Sequence, residues 1–183
     1  MKTVLIFVNL FLAAVLCGCT VAPKRPESRD VLAAEVRDAI TVFKKRDPTI
    51  NTFFENSYGY AVFPKVFKGA FLVGGAYGRG EIYEQGRILG YCSLSQATLG
   101  FSFGGEYFRE IIFFKNDTDL HRFLQEEFAF SAQVSGVVLT LGAAAKADYT
   151  DGMAVFVTAD KGLMVDVSLG GQKFSAVPKS ATQ

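Results

Sequence analysis

The chain has 183 residues, half of them apolar, with 19 Lys and Arg against 18 Asp and Glu, one histidine and three cysteines. So even a charge balance excludes a generally basic nucleic-acid-binding protein, and this histidine and cysteine content leaves no material for a histidine-based metal site or triad or for a zinc or iron cluster. The length suits one domain with a sizeable core.

The N-terminal segment begins with Lys2 and continues as an apolar run from Val4 to Val15 broken only by Asn9. The run is too short to span a bilayer comfortably and has the form of a secretory h-region. Gly18 immediately before Cys19, with Leu16 three residues ahead of the cysteine, resembles the lipobox of bacterial lipoproteins. That resemblance implies that residues 1–18 are a signal peptide and that Cys19 is lipidated. Several acyl chains, at roughly 0.8 kcal/mol per buried CH2, anchor a domain firmly. Cys17 fits less well, because bulky Leu16 would occupy its cleavage site. Thr20 stands where an Asp commonly retains such proteins in the inner membrane, so the implied location is the outer membrane, lipid-anchored on its periplasmic face. An ordinary signal peptide with an incidental cysteine is the alternative. Removal of the signal leaves 165 residues (183 less 18) with 18 basic and 18 acidic side chains and Cys92 as the remaining free thiol, so no intrachain disulfide is expected. Residues 24–87 carry eleven Lys and Arg against eight Asp and Glu, and the rest seven against ten, a mild polarity that suits a positive end facing phosphate or plain solvated surface.

Residues 19–29, with Pro23 and Pro26, read as a tether. A helix is predicted from Asp30 to Arg46, with Leu32, Val36, Ile40 and Phe43 on one stripe and Ser28 or Asp30 as its cap. A second short helix is expected to open at Asp47-Pro48 and run towards Asn56. No glycine occurs between Cys19 and Gly59, after which Gly, Phe and β-branched residues dominate with a period of two. Strands are predicted at 59–63, 70–78, 80–84, 87–94, 98–104, 106–114, 130–141, 153–158 and 163–170, with turns at Glu84-Gln85-Gly86 and Asp160-Lys161-Gly162. One helix interrupts them, capped by Asn116 or Asp117, with Leu120, Phe123 and Leu124 inward and His121 on its exposed side. The fold class expected is α+β: an N-terminal helix plus a curled, mostly antiparallel, barrel-like sheet with one inserted helix, the glycines permitting strong curvature.

Arrangements that would carry chemistry are weak. Gly74 to Gly80 runs from strand to strand and lacks both the Lys-Ser/Thr of a P-loop and the GxGxxG spacing, so it reads as a glycine-rich bend that brings Arg79 to a surface. Ser93 and Ser95 lack a G-x-S-x-G elbow. Glu126-Glu127 reads as a solvated pair ending a helix, and Asp148, Asp151 and Asp160 lack EF-hand spacing. No enzyme activity and no cofactor are expected.

The stretches 61–69, 73–80 and 96–105, with Glu110-Ile111-Ile112-Phe113-Phe114, Phe130-Ser131-Ala132-Gln133 and 162–174, resemble the SYLF domain and specifically its bacterial branch, over about Val31 to Val177. The resemblance implies a domain over 30–177, followed by a tail at 178–183, that binds membrane lipid. Eukaryotic members bind phosphoinositides and some fungal ones bind actin, but those carry neighbouring SH3 or FYVE modules that are absent here, so neither actin nor phosphoinositides are expected as partners. The functional reading is a non-catalytic lipoprotein contacting anionic membrane phospholipid. Lys65, Lys68 and Arg79 would meet phosphates, and Phe63 and Phe67 would enter the headgroup layer. The other reading of these aromatics is that they are core and the lysines merely solvated. A structural or adaptor lipoprotein that binds another envelope protein is the alternative function.

Overall fold

The computed structural model describes residues 21–23, 25–70, 73–125, 129–130, 137–138 and 140–179. The expected signal peptide, Cys19, the Glu126-Glu127 pair, most of the strand expected at 130–141 and all but the start of the tail lie outside the described residues. Among the described residues three α-helices, α1 (Pro26–Arg46), α2 (Asn51–Asn56) and α3 (Asp117–Leu124), accompany six strands: β1 (Gly59–Ala70), β2 (Val73–Glu84), β3 (Arg87–Phe114), β4 (Ala129–Phe130), β5 (Val137–Val138) and β6 (Met153–Pro178). The α+β class with an inserted helix, expected from the sequence, is what forms.

Helix α1 starts earlier than expected, because Pro26 at its first position already holds a helical φ and has no N–H to leave orphaned. Leu32, Val36, Ala39 and Phe43 are its buried residues, while Ile40 is half-buried. Lys44, Lys45 and Arg46 in the last turn complement the helix dipole. A 3-10 turn over Pro48–Ile50 leads into α2, and the Asp47 side chain caps it by accepting from the Thr49 N–H. Asn116 caps α3 by accepting from the Asp119 N–H.

The sheet is built from one long ribbon. β3 and β6 pair antiparallel from Gly90 opposite Pro178 to Phe114 opposite Met153. The first half of β3 also pairs with β2 and its second half with β1, while β1 and β2 pair with each other. The β1–β2 hairpin is therefore held between the two arms of a ribbon that coils around it. Both outer edges of the coil are β6, extended by β4 at Lys173 and by parallel β5 at Phe156, and the sheet is curled without closing.

Several expected strands fuse. The segments expected at 87–94, 98–104 and 106–114 are all β3, and those at 153–158 and 163–170 are both β6. The turn expected at Asp160-Lys161-Gly162 does not form: Tyr107 faces Lys161 and Phe108 faces Ala159, so Asp160 is the extra residue of a β-bulge. In β2 the glycines do not make a bend either. Gly80 lies so close to β1 that an added Cβ would strike the Val62 carbonyl. That approach accompanies a bulge at Phe63-Pro64, where Pro64, lacking an N–H, is accommodated in a strand paired on both sides.

Alternation sends side chains to two apolar clusters. The inner one, inside the coil, gathers Phe63, Val66, Ile82, Leu94, Phe108, Ile112, Phe114 and Phe174, and α3 plugs it with Leu120 and Phe123. The outer one lies between the sheet and the N-terminal helices and gathers Val36, Phe43, Phe53, Tyr91, Ile111, Phe113 and Phe156. Phe53 packs edge-on against Phe156 with centroids 5.0 Å apart. Cys92 is buried in the inner cluster as a free thiol, pushed well above the ordinary thiol range by burial.

Candidate functional site

The bulge in β1 decides where the expected lipid-contacting residues go. On one side of it Phe63 points inward and is fully buried against Phe174, their centroids 5.7 Å apart. Phe63 is thus core, and the exposure expected for it is corrected: after two inward neighbours, Ala61 and itself, the bulge delays the next inward position to Val66. Lys65 and Phe67 fall on the opposite, outer face and are exposed.

On that outer face Lys65 is the register partner of Arg79 on β2. Two cations thus stand side by side, and neither makes an ion pair among the described residues. Arg79 donates from Nε to the Tyr77 hydroxyl at 3.2 Å, and the Lys65 Nζ lies 4.8 Å from the centroid of the Tyr107 ring. Tyr107 in turn packs on Phe67 at 5.2 Å, with Phe67 49% exposed. Like charges directly opposite each other in a sheet are unfavourable unless something else offsets them, and a basic pair rimmed by exposed rings matches an anion set in an apolar layer. Between this pair and the start of α1 runs a groove of about 270 Å³ lined by Pro23, Val31, Glu35, Lys65, Tyr77 and Arg79.

Lys68 belongs elsewhere. Its register partners are Ala76 on β2 and Glu106 on β3, and it lines an inner cavity of about 300 Å³ with Gln96, Glu106, Phe108, Glu110 and Gln172. Of the five residues expected to meet lipid, the structure brings together Lys65, Phe67 and Arg79 on one face and sends Phe63 and Lys68 to the other. At the cavity floor Glu110 is 1% exposed, and burial raises its carboxyl to about 7 although the Gln172 amide, donating at 3.3 Å, opposes the shift. Glu110 was not among the residues expected at the site, although a carboxylate in the inward series Phe108, Glu110, Ile112, Phe114 is the signal that could have found it; Tyr77 and Tyr107 carried no comparable signal because their neighbours come from pairing across the bulge.

His121 is exposed on α3, 3.2 Å from Asp117, as expected of a solvated histidine. No group of three or more His, Cys, Asp and Glu side chains suited to a metal ion occurs among the described residues. Among the same residues no helix is long and apolar enough to cross a membrane.

Comparison with known proteins finds two similarities. The Beta cell expansion factor A of Aeromonas veronii is 25% identical over 150 residues, which cover 81% of this chain and 57% of that protein. The chain thus spans little more than half the length of that relative. Residues 95–181, which contain the second arm of β3, α3 and all of β6, match the Ysc84 family, described as Las17-binding protein actin regulator. The resemblance read from the separated motifs is borne out over residues 95–181, which match the model of the Ysc84 (SYLF) family, a family known for binding lipid and actin.

Proposed function

We propose that the protein is a non-catalytic lipoprotein, anchored in the outer membrane through Cys19, whose folded domain contacts anionic phospholipid through Lys65, Arg79, Phe67 and Tyr107. The observation that carries this reading is the register pairing of Lys65 with Arg79 beside exposed rings. Pro23 in the wall of the adjoining groove adds to it. Cys19 is four residues before Pro23, and an extended chain spans at most about 3.6 Å per residue. An acylated Cys19 would therefore sit within about 15 Å of the groove, and the anchor and the basic pair would address the same bilayer surface. Lys68, in the inner cavity, has no part in this contact.

The test is co-sedimentation of the Cys19→Ala chain with phosphatidylglycerol vesicles across a salt series. Each basic residue near an anionic surface contributes about 1 kcal/mol, so Lys65→Glu with Arg79→Glu should lower affinity at least tenfold, with the difference shrinking as salt rises. Equal binding by the folded double variant removes the pair from the site. Saturable capture of one envelope protein with no vesicle binding by the parent chain would favour the adaptor reading.

A further inference from the structure

We propose that the inner cavity is a binding site for a small organic ammonium group, with the Glu110 carboxylate as its counter-charge and Phe108, Val157 and Ala159 receiving its apolar body. The cavity has a mouth and a floor: Ala159 is exposed, Lys68, Gln96, Glu106 and Gln172 are half-buried, and Phe108 and Glu110 are buried. Glu110 Oε2 accepts from the Gln172 amide at 3.3 Å, whereas Oε1 is fully buried with no hydrogen-bond partner among the described residues. A buried acceptor left without a donor is costly, and a charged one more so, unless a ligand supplies it. Among the described residues two carboxylates, Glu106 and Glu110, and one lysine line the cavity, and Lys68 is the register partner of Glu106 on β3. Glu110, buried at the floor with Oε1 unpartnered among the described residues, is the carboxylate placed to meet a ligand, and an ammonium supplies both the opposite charge and several N–H donors. At about 300 Å³ the space is at the small end of ligand sites, which limits the apolar body to a few carbons.

The site opens on the face of β1 opposite the Lys65–Arg79 pair, so it stands or falls independently of vesicle binding. Among the described residues the titratable and charged groups that face Glu110 are Lys68 from β1 and Glu106 and Cys92 from β3. Only the ionised Glu110 can neutralise a cation, so affinity should climb as pH rises through the carboxyl's range near 7.

The experiment is calorimetric titration of the full chain with butylammonium, with butanol and butyrate as the neutral and anionic counterparts at matched ionic strength. Butylammonium should bind at pH 8 and about tenfold more weakly at pH 6, following the ionised fraction of one carboxyl. Glu110→Gln should lose at least tenfold at pH 8, and butanol and butyrate should show neither dependence. Binding of butylammonium that ignores both pH and Glu110→Gln overturns the proposal, as does butyrate binding that needs Glu110. Should the variant not fold, the pH pair on the unaltered chain decides alone. Phosphatidylglycerol vesicles with and without phosphatidylethanolamine, added as competitors, distinguish the two sources of such a group: competition only by the ethanolamine lipid assigns a headgroup, and its absence assigns a free amine.

Discussion

Asp47 Oδ2 accepts a hydrogen bond from the backbone N–H of Ala144 at 2.8 Å, joining the end of α1 to a loop 97 residues later in the chain. The other oxygen, Oδ1, accepts from both the Thr49 N–H and the Thr49 hydroxyl. One fully buried carboxylate thus caps a turn and pins the loop that leads into β6. Burial acts to raise the Asp47 carboxyl, but the donors from Ala144, Thr49 and Gly142 outweigh it and hold it below the ordinary range.

Asp47→Ala should therefore cost about 2 to 4 kcal/mol, since it removes a cap and leaves the Ala144 N–H buried without a partner. A carboxylate lowered in the folded state contributes stability above its unfolded pKa and loses it as pH falls through the folded value. Urea denaturation at pH 7 and at pH 3 checks both points: the cost of Asp47→Ala should be large at the first and reduced at the second.

The bulge in β1 predicts opposite outcomes for two phenylalanines four residues apart. Phe63→Ala should cost about 3 to 5 kcal/mol, because the ring is fully buried among Phe174 and the inner cluster. Phe67→Ala, on the exposed outer face, should cost under about 1 kcal/mol and should weaken vesicle binding instead. A denaturant series with co-sedimentation of the same two variants measures this; equal stability losses would contradict the face assignment.

The helices were legible in the sequence because their signals are local. Asp47-Pro48 and Asn116 announce caps within three residues of where they act, and the stripe from Leu32 to Phe43 needs no knowledge of the sheet. The strands were legible as strands but not as two long, bent ones. Gly-rich segments and Asp160-Lys161-Gly162 have turn chemistry, and only pairing with Tyr107 and Phe108 shows that Asp160 is taken up by a bulge. The same limit applies to the site. Alternation by itself puts Phe63, Lys65 and Phe67 on one face, and the irregularity at Pro64, set by contacts with β2 and β3, breaks that series. The Lys65–Arg79 neighbourhood depends on that register, whereas the inward Glu110 could be read from the unbroken series that contains it.

Gly80→Ala tests the close approach of β2 to β1. An added methyl would meet the Val62 carbonyl, which is backbone, and then the fully buried ring of Phe63, neither of which can easily give way. A destabilisation of about 2 kcal/mol or more is expected from overpacking. Alanine at exposed Ser95, on the same strand system with its side chain outward, should stay within about 0.5 kcal/mol. Thermal unfolding of the two variants side by side reads the difference.

Glu110 predicts a pH dependence of stability with the sign opposite to that of Asp47. Its carboxyl is raised from 4.5 to about 7, chiefly by burial, so the folded state holds a proton that the unfolded chain has already lost over that interval. Stability is fully present below pH 4.5, declines as pH rises towards 7, and levels off above it. The decline attributable to this one group is on the order of 3 kcal/mol, since every tenfold difference in proton affinity between the folded and unfolded chain corresponds to about 1.4 kcal/mol. Glu110→Gln keeps the shape and the ability to bond Gln172 while removing the titration. Urea midpoints measured at pH 5 and pH 8 should fall in the parent chain, and the fall should be smaller by roughly that amount in Glu110→Gln. An identical fall in both proteins would show that Glu110 ionises normally, which its burial beneath Lys68 and Gln96, with Oε1 unpartnered among the described residues, argues against.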